Sequence, residues 1–355
     1  MNRAAIAGPS AWTGAELAAS GDWVRRFDDG HLAEIDAALA QVKRLGGGVI
    51  GFGREVFPLD RAASLLGDVS KELESGRGAV RLRGLPVGRY STDDLRRIFW
   101  GIGRHLGTAL FQNARGEAMG EVRDETKIVE KSFDPTEDGR VASARARSRS
   151  TGPLRWHTDR CDVIALLCLR NAMEGGVSKL ASIAAIHDTM LARRPDLLEL
   201  LCQDYWRSRP VDEDGMAGGN VFAMPVFGFA EGQITSQYSR TYVEQAQEVA
   251  GVPKLSAAQN EALDMLAAVA EEQCLHSAFE AGDIQLLNNH LIYHGRTAYA
   301  DDAPSGRDRL LLRLWLSMPN SRRLPDGFES LWGATAAGAV RGGVVQPQSG
   351  VRIAA

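Results

Sequence analysis

Apolar positions change period about a third of the way along the chain. Early on they recur every three or four residues. Leu32, Ile35, Leu39 and Val42 form one helical stripe, stopped by Gly46-Gly47-Gly48. A second amphipathic helix is predicted over 59–73, ending near Gly76. The first thirty residues show no such order and read as a weakly structured lead. Ala79-Val80-Arg81-Leu82-Arg83 alternates and reads as a strand. Ser91, with Asp93 and Asp94 behind it, is an N-cap signature opening a helix that runs to Leu106. The stretch 108–122 is mixed, with strand-like ends around a turn.

Beyond 155 the pattern becomes that of strands. The continuous apolar run 163–169 predicts a strand buried on both faces. Strands are predicted over 179–183, 221–229, 233–238, 274–279, 284–287, 291–294 and 309–318. Helices interrupt them over 184–194, 196–202, 241–250 and 256–273, the last capped by Ser256. The expected fold is mainly β with helical additions (α+β), an antiparallel barrel or jelly roll. The domain reading is an N-terminal helical extension over 1–77, a core domain over 78–333 and a flexible tail over 334–355. Within 130–152, arginine stands at alternate positions (Arg145, Arg147, Arg149) among small residues. That reads as a mobile surface loop or as a lid over whatever follows it.

Composition narrows the class. A chain of 355 residues, 44% hydrophobic, can bury a sizeable core. Its net charge of -4 supplies no reason for a nucleic-acid or anionic-membrane partner. No apolar run reaches the roughly 18–20 residues that span a bilayer, and no basic-then-apolar leader opens the chain, so a cytoplasmic protein is expected. The four cysteines (Cys161, Cys168, Cys202, Cys274) include no CxxC pair, which suits reduced, buried thiols. Self-association into a homo-oligomer is left open.

The chemistry starts at Arg155-Trp156-His157-Thr158-Asp159-Arg160. In an extended strand His157 and Asp159 point the same way. One imidazole and one carboxylate make two-thirds of a facial metal site of the kind that suits iron(II) and leaves positions open. Of seven histidines, His294 is the best third ligand, where an apolar strand meets Gly295; His290 shares its parity and competes. On 309–318, Leu310, Leu312, Leu314 and Leu316 form a core face, and Arg309 and Arg313 share the other. Two guanidiniums on so apolar a strand call for anions, and arginine's planar fork binds carboxylate bidentately.

His157-Thr158-Asp159, Gly175-Gly176-Val177-Ser178, Gly282-Asp283-Ile284 with Asn288-Asn289, His294-Gly295-Arg296, and Arg309 with Arg313 occur in that order. Together they resemble the TauD/TfdA-type iron(II)- and 2-oxoglutarate-dependent dioxygenases over roughly 155–318. The resemblance implies a double-stranded β-helix core. It implies iron(II) held by His157, Asp159 and His294, and the distal carboxylate of 2-oxoglutarate clamped by Arg309 and Ser178. Arg313 would meet an anionic group of the substrate, although the two arginines share a face and their roles are exchangeable. Oxygen would be consumed, succinate and carbon dioxide released, and a small, carboxylate-bearing molecule hydroxylated or otherwise oxidised by hydrogen abstraction. Related halogenases have glycine where this chain has Asp159, so the carboxylate points away from halogenation. Pro153 and the stretch after Leu106-Gly107 depart from the taurine enzymes' pattern, so taurine itself is not the expected substrate. Gln112, Asn113 and Arg160 are further candidate substrate contacts, with turn or surface roles as their alternatives. Two other readings stay open: the same chemistry on a protein or carrier-bound substrate, and a non-catalytic binding or sensing barrel.

Overall fold

The computed structural model describes residues 4–125, 150–209 and 221–346. Most of the loop expected to form a lid, residues 130–149, lies outside them. Its end is anchored: Arg296 donates to the carbonyls of Ser150 and Gly152, and Tyr299 N–H to that of Thr151 at 3.0 Å.

The chain opens with helix α1 (Gly14–Ser20) and strand β1 (Val24–Arg26), so the expected unstructured lead is ordered. Burial is the reason. Trp12, Leu17 and Trp23 are inside the core, and β1 pairs in parallel with β2 (Ala79–Arg83). Three isolated large residues in a short segment carry no periodicity, so the pattern alone could not find them. Gly14 is required by this packing, because a Cβ there would stand 2.2 Å from the Cys274 carbonyl oxygen.

Helices α2 (Asp29–Arg44), α3 (Ala62–Ser75) and α4 (Thr92–Leu106) follow the predicted stripes. Their buried faces (Ile35, Leu39, Val42; Leu66, Val69, Leu73; Ile98, Ile102) share one core with the strands. Short strands β3 (Thr108–Ala109) and β4 (Met119–Val122) are the two ends of the mixed stretch. Next come β5 (Leu154–His157), β6 (Val163–Arg170), β7 (Glu174–Gly175) and β8 (Ser178–Ser182). Helices α5 (Ile183–Arg193) and α6 (Pro195–Leu201) lead to β9 (Asp204–Ser208), which the sequence reading had missed. The hairpin strands β10 (Val221–Pro225), β11 (Phe227–Ala230) and β12 (Gln233–Ser236) precede α7 (Arg240–Ala246) and α8 (Ala257–Gln273). The last strands are β13 (Leu275–Ser277), β14 (Ile284–Asn288), β15 (Ile292–Arg296), β16 (Tyr299–Ala300) and β17 (Leu310–Ser317).

Two sheets make the core: β1-β2-β14-β6-β17-β3, with β4 also on β17, and β13-β8-β15-β5. Ile164, Leu287 and Trp315 of the first pack in one cluster with Leu180, Ile292 and Tyr293 of the second, the sandwich of a jelly roll. The outer face of the first sheet (Leu82, Leu167, Ile284, Leu312, Leu314) packs on α2–α4. This explains the apolar run in β6 and places the expected leucine face of β17 against helices. The opposite face of β17, with Arg313 and Trp315, turns inward.

The expected loose tail from 334 is not loose where it is described. Arg341 and Val344 are fully buried. Arg341 Nε donates to Asp162 Oδ1 at 2.8 Å, and Gly343 N–H donates to the Arg160 carbonyl at 2.7 Å. A tail rich in glycine and alanine packs here because its backbone hydrogen bonds and one arginine dock it beside the His157–Asp159 segment. Arg341→Ala leaves the buried Asp162 carboxylate short of a charge partner. The expected loss is roughly 3–5 kcal/mol, typical for breaking one side of a buried ion pair; urea denaturation monitored by circular dichroism measures it.

Candidate active site

β15 lies between β8 and β5, and its register sets the site. His294 pairs directly with His157 on β5, and Arg296 with Ser178 on β8. The two imidazoles stand 4.2 Å apart between ring centroids. Strand β5 ends at His157, so Asp159 lies in the loop just beyond it and not in a strand. The loop stays extended because Thr158 N–H donates to the Tyr238 carbonyl at 2.9 Å, and Thr158 Oγ1 accepts from Tyr238 N–H at 3.1 Å. Asp159 is then fixed twice: its N–H donates to Asn289 Oδ1 at 2.9 Å, and its Oδ2 accepts from Trp315 Nε1 at 3.2 Å.

His157 Nδ1 donates to the Arg155 carbonyl at 2.9 Å, which leaves Nε2 facing the cleft. That Nε2 is 3.9 Å from Asp159 Oδ1, and His294 Nε2 is 3.8 Å from Asp159 Oδ2. One donor atom from each of the three lies within 4.8 Å of the others, a set able to hold a metal ion. His290 is excluded. It is buried behind the site, bonded to Asp162 Oδ1 at 2.8 Å and to Thr235 Oγ1 at 2.7 Å.

Burial opposes the Asp159 carboxylate, but the charges of His157, His294 and Arg313 outweigh it and hold the carboxyl below its usual range. Burial, reinforced by His157, pushes His294 down to about 3. The donors therefore present a carboxylate and a neutral imidazole near neutral pH, the forms a cation needs. Burial likewise pushes His290 down to about 4 from 6.5. Below pH 6.5 the unfolded chain binds a proton that the folded one refuses until about pH 4. Stability of the metal-free protein should therefore fall with falling pH across that window, by up to about 1.4 kcal/mol per pH unit for each such histidine. Urea midpoints at pH 7, 6 and 5 test this, and His290→Gln should flatten the slope.

Beside the donors the cleft has a cationic end. Arg309, 4% exposed, and Ser178 line it with His157, Asp159 and His294. Among the described residues, Arg309 Nε and Nη1 are buried and have no hydrogen-bond partner. Ser178 Oγ accepts from Gln285 Nε2 at 3.1 Å, and Gln285 Oε1 accepts from Arg81 at 2.6 Å, so the serine hydroxyl hydrogen is left to donate elsewhere. Gly176 (φ +68°) permits this approach: a Cβ there would meet Arg309 Nε at 3.2 Å. Arg313 lines the same cleft across the sheet, in one row with Leu166 and Gln285.

A family model described as "Taurine catabolism dioxygenase TauD, TfdA family" matches residues 41–315. The chain belongs to the TauD/TfdA family. It is therefore a dioxygenase, an oxidoreductase. FR-33289 synthase of Streptomyces rubellomurinus is 32% identical over 347 residues, covering 94% of this TauD/TfdA chain and 96% of the relative. The taurine hydroxylase-like protein SAT17 of Stachybotrys chartarum is 31% identical over 333 residues, covering 90% and 81%. Among solved structures, asparagine oxygenase in complex with Fe(II), hydroxyasparagine and succinate matches with TM-score 0.63 at 16% identity, over 83% of this chain and 93% of that one. The non-heme iron oxygenase OrfP with Fe and alpha-ketoglutaric acid matches with TM-score 0.59 at 13% identity, over 89% and 99%. These likenesses show the TauD/TfdA dioxygenase chain to have the jelly-roll fold of that group.

Six of the residues singled out in the sequence meet in this TauD/TfdA cleft: His157, Asp159, His294, Ser178, Arg309 and Arg313. Gln112 does not line it. Its Oε1 accepts from Arg313 Nε at 2.7 Å, and its Nε2 donates to the Arg313 carbonyl at 2.9 Å, so it orients Arg313. Asn113 is spent on a turn, with Oδ1 accepting from the N–H groups of Arg115 and Glu117 and Nδ2 donating to Glu117. Arg160 is buried beside the tail and is not among the lining residues. Sequence reasoning missed Gln285 and Trp315, and it gave no role to Arg296 or Asn289, which stand in its motifs. A glutamine second in the apolar strand Ile284–Asn288 was the visible signal, because a polar side chain in a strand buried at every position must have a partner.

Among the described residues, no helix is long and apolar enough to cross a membrane. The four cysteines are free, Cys161 and Cys168 being buried.

Proposed function

We propose that this dioxygenase depends on iron(II) and 2-oxoglutarate and oxidises a small organic anion, hydroxylating it in the simplest outcome and releasing succinate and carbon dioxide. The observation that carries the reading is Arg309: two of its nitrogens are buried and unpartnered among the described residues, in the same cleft as the His157–Asp159–His294 donors. A buried, unsatisfied guanidinium is costly, and a bidentate carboxylate removes the cost.

In this reading His157, Asp159 and His294 hold the iron, on the chemistry of two imidazoles and one carboxylate. Arg309 and the Ser178 hydroxyl bind the far carboxylate of 2-oxoglutarate, which fixes the direction in which its keto-acid end lies. Iron(II), 2-oxoglutarate and oxygen together supply the oxidant that takes a hydrogen atom from the substrate. Arg313, held by Gln112, places the anionic group of the substrate across the cleft from the histidines. Leu154, Ile164, Leu166 and Phe279 keep the rest of the cleft apolar and limit water.

The substrate class rests on Arg313 and on the relatives. The asparagine oxygenase structure holds a hydroxylated amino acid, and the OrfP structures include hydroxylated arginine. The assay is succinate formation by the iron-loaded protein with 2-oxoglutarate, screened against amino acids, amino sulfonates and other small organic anions. One class should stimulate turnover well above the uncoupled background. Iron and 2-oxoglutarate binding without stimulation by any small anion, but with stimulation by peptides or carrier-bound acids, would move the reading to a macromolecular substrate.

A further inference from the structure

Where α8 turns into β13, Glu271, Cys274 and His276 come together on the outer side of the second sheet. Cys274 and His276 are two residues apart and share a side of the extended chain. Cys274 Sγ is 3.6 Å from His276 Nε2, and His276 Nε2 is 3.9 Å from Glu271 Oε1. All three donors lie within 4.8 Å of one another.

These separations can be compared with what a tetrahedral ion requires. With zinc–sulfur near 2.3 Å and zinc–nitrogen near 2.05 Å, the two ligand atoms sit about 3.6 Å apart, and a nitrogen and a carboxylate oxygen about 3.4 Å apart. The sulfur–nitrogen pair already has this spacing, and Glu271 needs to move by about half an ångström. The carboxylate is also braced. Its Oε2 accepts from Trp156 Nε1 at 3.2 Å and from the Lys179 ammonium, which leaves Oε1 toward His276. Lys179 is held in turn over the Trp156 ring, 4.6 Å from its centroid. Neighbours that orient a ligating carboxylate are a regular part of metal sites.

We propose that Glu271, Cys274 and His276 form a second divalent-cation site, selective for zinc-like ions and distinct from the His157–Asp159–His294 cluster. A thiolate, an imidazole and one carboxylate suit zinc or cobalt and disfavour calcium and magnesium, which take oxygen ligands. Three protein ligands leave one tetrahedral position for water. Glu271 and His276 have half-exposed side chains, so the ion has access. On binding, the thiol proton, now directed at the Glu271 carbonyl 3.4 Å away, leaves to solvent and the thiolate takes its place on the ion. The site lies on the back of the strand that carries His157: Trp156 braces Glu271 on one face, and the next side chain enters the cleft on the other.

Cobalt(II) separates the two sites, because only this one contains sulfur. Metal-free full-length protein titrated with cobalt(II) should bind two equivalents, one of them with thiolate-to-cobalt absorption in the near ultraviolet. Cys274→Ser should remove that band and one equivalent. His276→Ala should weaken the band's titration, and Asp159→Ala should keep it, whatever becomes of the iron reading. Zinc should bleach the band when added. Circular dichroism confirms that each variant is folded. A titration without a thiolate band, or a band that survives in Cys274→Ser, would overturn the proposal.

Discussion

Asp159→Ala is expected to abolish substrate-dependent succinate formation. Asp159 is the single carboxylate among the three donors, and its oxygens stand 3.9 and 3.8 Å from His157 Nε2 and His294 Nε2. Without it two imidazoles remain to hold a dication, in a cleft where Arg313 adds a further positive charge. The several kcal/mol a metal centre contributes to charge stabilisation correspond to a turnover loss of roughly a thousand-fold or more. The variant should also lose iron, read by metal content after gel filtration. The Asn289 bond to the Asp159 backbone should persist, and the side-chain hydrogen bond lost is the one from Trp315 Nε1. Retained iron and retained turnover in Asp159→Ala would remove the site from consideration.

Arg309→Ala should act on the cosubstrate and spare the metal. Two charge-assisted hydrogen bonds to one carboxylate, each about 1.5–3 kcal/mol, predict a rise in the KM for 2-oxoglutarate of a hundred-fold or more. Iron content should stay near that of the parent. Arg309→Lys should recover little, since an ammonium cannot reproduce the planar fork. Because the buried guanidinium carries two unpartnered nitrogens among the described residues, Arg309→Ala should not unfold the protein. An unchanged KM for 2-oxoglutarate in Arg309→Ala, with a raised one in Arg313→Ala, would exchange the roles of the two arginines.

The secondary structure was legible wherever local chemistry decided it. The Ser91 and Ser256 caps, the glycine stop at Gly107 and the alternation in Ala79–Arg83 all lie where the pattern put them. The misses share a cause. Residues 12–24 and 341–344 are ordered by contacts with distant parts of the chain, through Trp12, Trp23 and Arg341, and no local period marks such residues. Strand β9 is half buried beside β10 and short, so its alternation was too brief to read.

The sequence by itself determined the candidate chemistry. His157 and Asp159 two apart, His294 before a glycine, and two arginines four apart on an apolar strand pointed to a metal and a carboxylate-bearing molecule, and the resemblance those motifs carry implied 2-oxoglutarate. Residue types set donor chemistry, and spacing along a strand sets which side chains share a face. Only the tertiary structure decided between His294 and His290. Both had suitable parity, but the register of β15 against β5 puts one opposite His157, while the other is consumed by Asp162 and Thr235. Gln112 and Asn113 had been open between substrate contacts and turn residues; the structure makes Gln112 a support for Arg313 and puts Asn113 in a turn. Those outcomes depend on which strands become neighbours, and pairing across more than a hundred residues of chain leaves no trace in local sequence.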